Sequence, residues 1–407
     1  MTVRTSNDEV IAFRLRAHHL DERLDPKELI KAVGASGIQN SPPGSALTAL
    51  HARVMNMSAA RLDSAVADEK VLLQSWCMRG APYFFPTSDL SVFTTGVLPT
   101  TEAAKRHFVL GVEQSLDKLG MDLTDLVNLV RDQIAEVLDG NPMAIDELGR
   151  SLADRVVGFL TDTQKAVWQS EGPYAKGQSL GEGVIHFCVR ILTLEQVLCF
   201  APREDNAAPF VLLEKWLEDS SGPPPVASSP QEPAAARAEL LRRYLRCYGP
   251  STRADFASWL GIRSTEAEPW WEAIGEEVVE VDFGRRTWML GADLESLKSA
   301  TMPRGVRLLP PRDAYTQMRD RQILVEDRYR SAVWKTVGDP GAVLVDGRIV
   351  GTWRARKKGT KLRVVISMFK TASASVRSDL TVEAEAIGSL RAAPDVDVDF
   401  ETVSGSR

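Results

Sequence analysis

The richest concentration of chemically capable side chains lies at 353–363, WRARKKGTKLR. It holds Arg354, Arg356, Lys357, Lys358, Lys361 and Arg363 and no acid, in a chain whose formal net charge is −6. Cations gathered against that background call for an anion, and the phosphodiester backbone is the extended anion they suit. A rigid β-ribbon would carry the charges, with Trp353 as the aromatic beside them, to phosphates or into a groove. The blander reading is a solvated hairpin whose lysines guard a sheet against edge pairing.

Other chemistry is thin. His18, His19, His51, His107 and His186 show no H-E-x-x-H or comparable metal spacing. The His18–His19 pair falls on the first helix without partner ligands in sequence, which favours surface or core over a metal. Cys77, Cys188, Cys199 and Cys247 are far apart, with no C-x-x-C pair. They form neither a zinc site nor a disulfide framework and fit a reducing cytosol. No G-x-S-x-G, P-loop or dinucleotide-binding glycine pattern occurs. The residues therefore predict no cofactor and no metal.

The elements that must position the cationic block are legible around it. From 306 to 369 strands dominate: VRLLP, AVLVDG, RIVGTWRARKKG and KLRVVISMF, turning at Asp346-Gly347 and Lys358-Gly359. They predict an antiparallel meander or barrel-like region, closed by a helix over 382–390 and a strand over 396–400. Upstream, 237–248 has helical apolar spacing and stops at Gly249-Pro250. A second helix carries Phe256, Trp259 and Leu260 and stops at Gly261. A third is capped by Thr265, with Glu266 and Glu268 in its first turn and Pro269 awkwardly early. Strands at 277–282 and 286–290 then flank a Phe283-Gly284 turn, a hairpin by period-two alternation. Helix, helix-turn-helix and hairpin make a winged helix, although Glu266, Glu268 and Glu272 argue against ordinary groove reading by its third helix.

The same order recurs near the start. Asp25-Pro26-x-Glu28 reads as a capping box, Pro42 or Pro43 opens a helix through 54, and 72–78 with 82–85 makes a hairpin about Arg79-Gly80. The middle of the chain reads as a degraded third copy, with strands at 196–201 and 209–213. The predicted class is α+β, mainly helical: a first winged helix at 8–100, a divergent second at 101–219, a linker at 220–233 (SSGPPPVASSPQEP), a third winged helix at 234–300 and a β-rich domain at 301–402.

Bulk properties agree. The 407 residues allow two to four domains, and 44% hydrophobic residues suffice for a core in each. Affinity for nucleic acid must come from a local patch, since the global field opposes it. The N-terminus lacks an apolar signal region, and no run of 18 apolar residues occurs. The expectation is a cytoplasmic, nucleoid-associated monomer that binds double-stranded DNA and no membrane.

Several stretches resemble one family. They are Trp76, Met78, Arg79 and Gly80 in the first hairpin; YGPSTRADFASWLG at 248–261; VRLLPPRD at 306–313; Arg319-Asp320-Arg321; and GAVLVDGRIVGTWRARKKG at 341–359. Together they are similar to the AlkZ-like winged-helix DNA glycosylases. The resemblance implies a stack of winged helices on duplex DNA and hydrolysis of the N-glycosidic bond of alkylated purines. It also implies a catalytic motif, glutamine-x-glutamine or glutamine-x-aspartate, before the long helix of the first unit. Here Gln39-Asn40-Ser41 occupies that place. Gln39 matches, and Ser41 stands where a carboxamide or carboxylate is expected.

The chemistry sets the weight of that departure. An alkylated purine is cationic and already a good leaving group, so positioning one water beside an oxocarbenium-like sugar is most of the task. Two polar side chains two residues apart on extended chain can share that water. Serine reaches less far than glutamine and brings no charge. A second reading makes Ser41 simply the cap of a helix with Pro42 at its first position. Three functions follow: a DNA N-glycosylase for alkylated or bulky purine adducts, using Gln39 and Ser41; a DNA-binding recognition or regulatory protein that has lost the chemistry; or a scaffold that does not touch DNA.

Overall fold

The computed structural model describes residues 3–203, 208–218 and 232–403. The linker read at 220–233 and the end of the tail lie almost wholly outside these residues. The described chain is α+β, rich in helix, and its strands pair mostly antiparallel. Two compact units divide it: one of 1–62, 241–256 and 274–407, the other of 63–240 and 257–273.

In the first unit, the helix Asn7–Ala17 starts at a reciprocal cap in which Ser6 Oγ accepts from Glu9 N and Glu9 accepts from Ser6 N. Those bonds and Lys298 hold the Glu9 carboxyl down at about 2. The helix buries Val10 and Phe13 against Val281, Met289 and Leu297. Val281 and Met289 belong to the predicted hairpin, found as Val278–Asp282 and Arg286–Leu290 with Gly284 at φ +69° in its turn. On the same helix Arg14 is 1% exposed and donates to Asp320 and to the carbonyls of Gly249 and Pro250. A buried charge needs partners of this kind, so the 319–321 and 249–250 stretches are held by one guanidinium.

The rest of the first unit is an open five-stranded sheet rather than a barrel. Its spatial order is Val306–Leu309, Gly341–Val345, Arg348–Lys358, Lys361–Met368 and Asp395–Thr402. The first three junctions are antiparallel, as the meander predicted. The last strand instead runs parallel to Lys361–Met368, because the helix Ala374–Leu390 carries the chain back across the sheet. That helix begins at Ala374, eight residues before the predicted 382, behind the cap Ser373, whose Oγ accepts from Val376 N. It packs Leu380, Ala384 and Ile387 onto Trp353, Leu362, Val364 and Ile366 of the sheet. Gly341 is required beneath the indole, since a Cβ there would lie 2.2 Å from Trp353 Nε1.

In the second unit, the strands Leu72–Trp76 and Pro82–Pro86 pair antiparallel, and Leu198–Phe200 and Phe210–Leu212 extend the sheet from Leu72–Trp76. Helices Leu123–Val137, Ile145–Val156 and Leu180–Leu194 supply its core with Leu126, Leu148, Leu152, Val184 and Leu192. At the turn of the first hairpin Arg79 has φ +56° and donates to Trp259 O and Tyr83 Oη. The helix read from Thr265 is shorter than expected. A single 3-10 turn, Ser264–Glu266, precedes Glu268–Glu272, which Pro269 opens and buried Trp270 and Trp271 anchor.

Candidate active site and cationic face

Gln39 ends the short strand Ile38–Gln39 and is 7% exposed. Its carbonyl accepts from Ser45 Oγ at 3.2 Å. The next residue does the capping. Asn40 Oδ1 accepts from Gly44 N at 2.9 Å and from Ala46 N at 3.4 Å, satisfying donors that the helix Ser45–His51 leaves open. Gly44 takes the left-handed conformation, φ +84°, that closes the turn. The helix thus starts later than Pro42, and Ser41 is not its cap. Asn40 points back to the turn, while the flanking Gln39 is buried and Ser41 half-buried.

Ser41 faces a cation instead. Arg312 Nη1 lies 3.5 Å from Ser41 Oγ, and Arg312 Nε lies 3.5 Å from Asp339 Oδ2. Arg312 sits at φ +58°, an uncommon conformation for a side-chain-bearing residue. The neighbouring Asp313 fixes it there. Both Asp313 oxygens receive Arg53 at 2.7 and 2.8 Å, with Arg53 1% and Asp313 0% exposed at the side chain. Removing one partner of such a pair costs about 3–5 kcal/mol. The end of the motif helix therefore anchors the loop that delivers Arg312 to Ser41.

Beyond Ser41 opens a cleft of about 580 Å³. One wall is Pro42–Ser45 and Leu47, and the other is formed by Asp339, Pro340, Arg354, Ala355 and Lys357. It joins the motif turn to the base of the cationic hairpin. No group of three or more His, Cys, Asp or Glu residues is arranged to hold a metal among the described residues. His18 is buried, and desolvation, then Arg53, keeps its imidazole well below the usual range. All four cysteines are buried free thiols, and burial pushes each of them up.

The hairpin separates its cations by face. Register pairs Arg356 with Arg363 and Lys358 with Lys361. With Arg354 these lie on the exposed face. Trp353, Leu362 and Val364 lie on the other face, against the helix. Trp353 is therefore not an exposed aromatic at the tip. It is 2% exposed, and its Nε1 donates to Leu309 O at 2.7 Å. Lys357 also lies on the inner face, and its Nζ donates to Arg391 O, at the end of Ala374–Leu390, where a cation complements the helix dipole.

The exposed face is not uniformly basic either. The parallel strand brings Asp395, Asp397, Asp399 and Glu401 alongside Lys361–Met368. Arg363 meets Asp399 at 2.7 Å and Lys361 meets Asp395 at 3.6 Å. Arg354 donates to Gly338 O. Arg356 and Lys358 make no ion pair with the described residues. Like charges directly opposed across a ladder are unfavourable, and an external anion relieves them. Sequence reading found these cations but missed their acidic neighbours, whose alternation in DVDVDFE was the available signal. It also missed Arg312 and Asp339, which only folding brings to Ser41.

No helix among the described residues is long and apolar enough to cross a membrane. Residues 30–390 match the AlkZ-like family, described as DNA glycosylase AlkZ-like. An interstrand DNA cross-link repair glycosylase of Streptomyces sahachiroi is 26% identical over 357 residues, covering 85% of this chain and 86% of that protein. The solved structure of Streptomyces sahachiroi DNA glycosylase AlkZ matches with a TM-score of 0.72 at 23% identity, over 98% of this chain and 100% of that one. With nearly its whole length matched by one family, this chain belongs to the AlkZ-like DNA glycosylases.

Proposed function

We propose that this protein is a DNA N-glycosylase that hydrolyses the N-glycosidic bond of alkylated or bulky cationic purine adducts in duplex DNA. Gln39 orients the attacking water, with the Ser41 hydroxyl assisting. The exposed face of the hairpin, through Arg354, Arg356, Lys358, Lys361 and Arg363, grips phosphates near the lesion. Trp353 and Lys357 support that face from behind. The observation that supports this reading is the Asn40-capped turn that follows Gln39, whose residues Pro42–Ser45 line a cleft opposite Arg354, Ala355 and Lys357 of the hairpin. We further read the repeated helix–hairpin order as winged helices at 8–100, 101–219 and 234–300. They would present the site to DNA from a monomer in the cytoplasm, at the nucleoid.

In the reaction the C1′–N9 bond breaks with its electron pair passing to the cationic purine, which leaves neutral. The sugar is left as an oxocarbenium ion. Water adds to C1′ and gives up one proton, leaving an abasic site. Because the leaving group is activated by its own charge, water positioning is the main demand on the protein. The test is base release from N7-alkylated duplex DNA. Gln39→Ala should slow release by about 100-fold or more while binding persists. Full activity in that variant would remove Gln39 from the mechanism.

The serine at position 41 favours a second reading, a DNA-binding damage-recognition or regulatory protein without base excision. It predicts salt-dependent binding with no abasic product from the unaltered protein.

A further inference from the structure

We propose that Asp339 is a positioning carboxylate for base excision, holding Arg312 against the Ser41 hydroxyl and offsetting its positive charge. This rests on the glycosylase reading above. Asp339 lies on the connection between the helix Asp327–Val333 and the strand Gly341–Val345. Its Oδ1 accepts from Lys335 N at 3.0 Å, fixing the loop, and its Oδ2 faces Arg312 Nε at 3.5 Å. One guanidinium therefore links the Asp339 carboxylate to the Ser41 hydroxyl. Asp339 is also the sole carboxylate among the described residues lining the cleft, where Arg354, Lys357 and Arg391 supply positive charge.

The placement is built rather than incidental. Arg312 holds a left-handed backbone between Pro311 and an Asp313 locked by buried Arg53. The site needs negative charge as the C1′–N9 bond opens and the sugar becomes cationic. The Ser41 hydroxyl brings none. Asp339 offsets the Arg312 cation that faces Ser41, a charge that left alone would oppose that ion, and through Arg312 it orients the Ser41 hydroxyl toward the water. The water oxygen bonds to C1′, and its proton leaves to solvent. Asp339 is unchanged at the end, so the step consumes one water and releases one proton with the neutral purine.

The experiment is single-turnover base release from N7-alkylated duplex DNA at saturating protein, comparing the unaltered chain, Asp339→Asn and Asp339→Glu, with DNA affinity measured for each. Asparagine keeps the oxygen that receives Lys335 N, but it removes the charge and the acceptor that face Arg312. Coulomb stabilisation over this range in a partly solvated site corresponds to a rate loss of about tenfold or more. We expect Asp339→Asn to show that loss with unchanged or tighter binding, and Asp339→Glu to recover to within a few-fold of the unaltered rate. Release by Asp339→Asn at the unaltered rate overturns the proposal and leaves the glycosylase reading intact. Equal slowing in both variants also overturns it, because the loop's geometry rather than its charge would then be what matters. Absence of release from the unaltered chain defeats the glycosylase reading itself and this inference with it.

Discussion

Replacing Arg356 and Lys358 together with alanine should separate DNA binding from folding, because these two cations bind nothing in the described protein. Each faces a like charge across the ladder, Arg363 and Lys361 respectively. Their partners are partly neutralised by Asp399 and Asp395. If both residues contact phosphates, the salt dependence of binding should lose about 0.9 per contact in the slope of log K against log salt, or about 1.8 for the pair. At about 0.1 M salt the same relation corresponds to an affinity loss of roughly sixtyfold. Stability should move the other way or not at all, since the substitutions remove two cross-strand repulsions.

Lys357→Ala is the internal comparison. It removes the same charge one position away, yet Lys357, itself exposed, lies on the opposite face of the ribbon and holds Arg391 O at the end of the helix. It should leave the slope nearly unchanged and lower the unfolding midpoint. The assay is a fluorescence-anisotropy titration of duplex DNA at four or more salt concentrations, with urea unfolding of each variant alongside. An unchanged slope in the double variant would refute the division of faces. So would a slope reduced equally by Lys357→Ala, since charge alone, rather than its direction, would then govern binding.

Two further outcomes follow from the site and its surroundings. Asn40→Ala removes the acceptor for Gly44 N and Ala46 N and should cost about 1 kcal/mol in urea unfolding, with a matching drop in base release; an unaltered midpoint would mean that water caps the turn as well. His18 is buried with its imidazole held well below 6.5, first by desolvation and then by Arg53. The folded chain therefore keeps it neutral while the unfolded chain takes up a proton below that pH. Its contribution to stability is full above about 6.5 and falls by up to about 1.4 kcal/mol for each further pH unit below. Burial shifts His19 and His186 in the same direction. Unfolding midpoints that stay level from about pH 7.5 to about pH 5 would refute this.

Local sequence signals carried much of the fold. Period-two alternation about Gly284 and Gly359 gave both hairpins, because a two-faced ribbon must alternate and its turn must admit positive φ. What escaped was set by distant contacts. The parallel return of Asp395–Thr402 depends on a helix whose first half, ASVRSDL, has few apolar residues to announce it. Trp353 looked like a surface aromatic because its neighbours in sequence are basic. The alternation that put Arg354 and Arg356 outward necessarily put Trp353 inward, against Leu380 and Ile387. At the motif, Ser41 and Pro42 suggested a cap, yet the carboxamide of Asn40 reaches the open donors and leaves Ser41 free to meet Arg312. Neither Arg312 nor Asp339 could be tied to position 41 from sequence, since 271 residues separate Ser41 from Arg312.

An acidic chain that must hold DNA has a specific problem, and on the proposed function the hairpin would address it by geometry. With net charge −6, long-range attraction is absent, so contact depends on cations close to the phosphates. The strand bearing Asp395, Asp397, Asp399 and Glu401 runs beside the same face and neutralises its inner half. Among the described residues of that face, Arg354, Arg356 and Lys358 are left without an acidic partner, while the cleft is lined by Trp353, Arg354, Ala355 and Lys357 of the same strand. On the proposed function, tight binding everywhere along DNA would slow the search for a rare adduct. A grip limited to a few phosphates suits an enzyme whose substrate already carries its own activating charge. In that arrangement the catalytic side needs little beyond one held water and an Arg312 whose charge is offset. A serine at position 41 is then tolerable where Asp339 stands behind it.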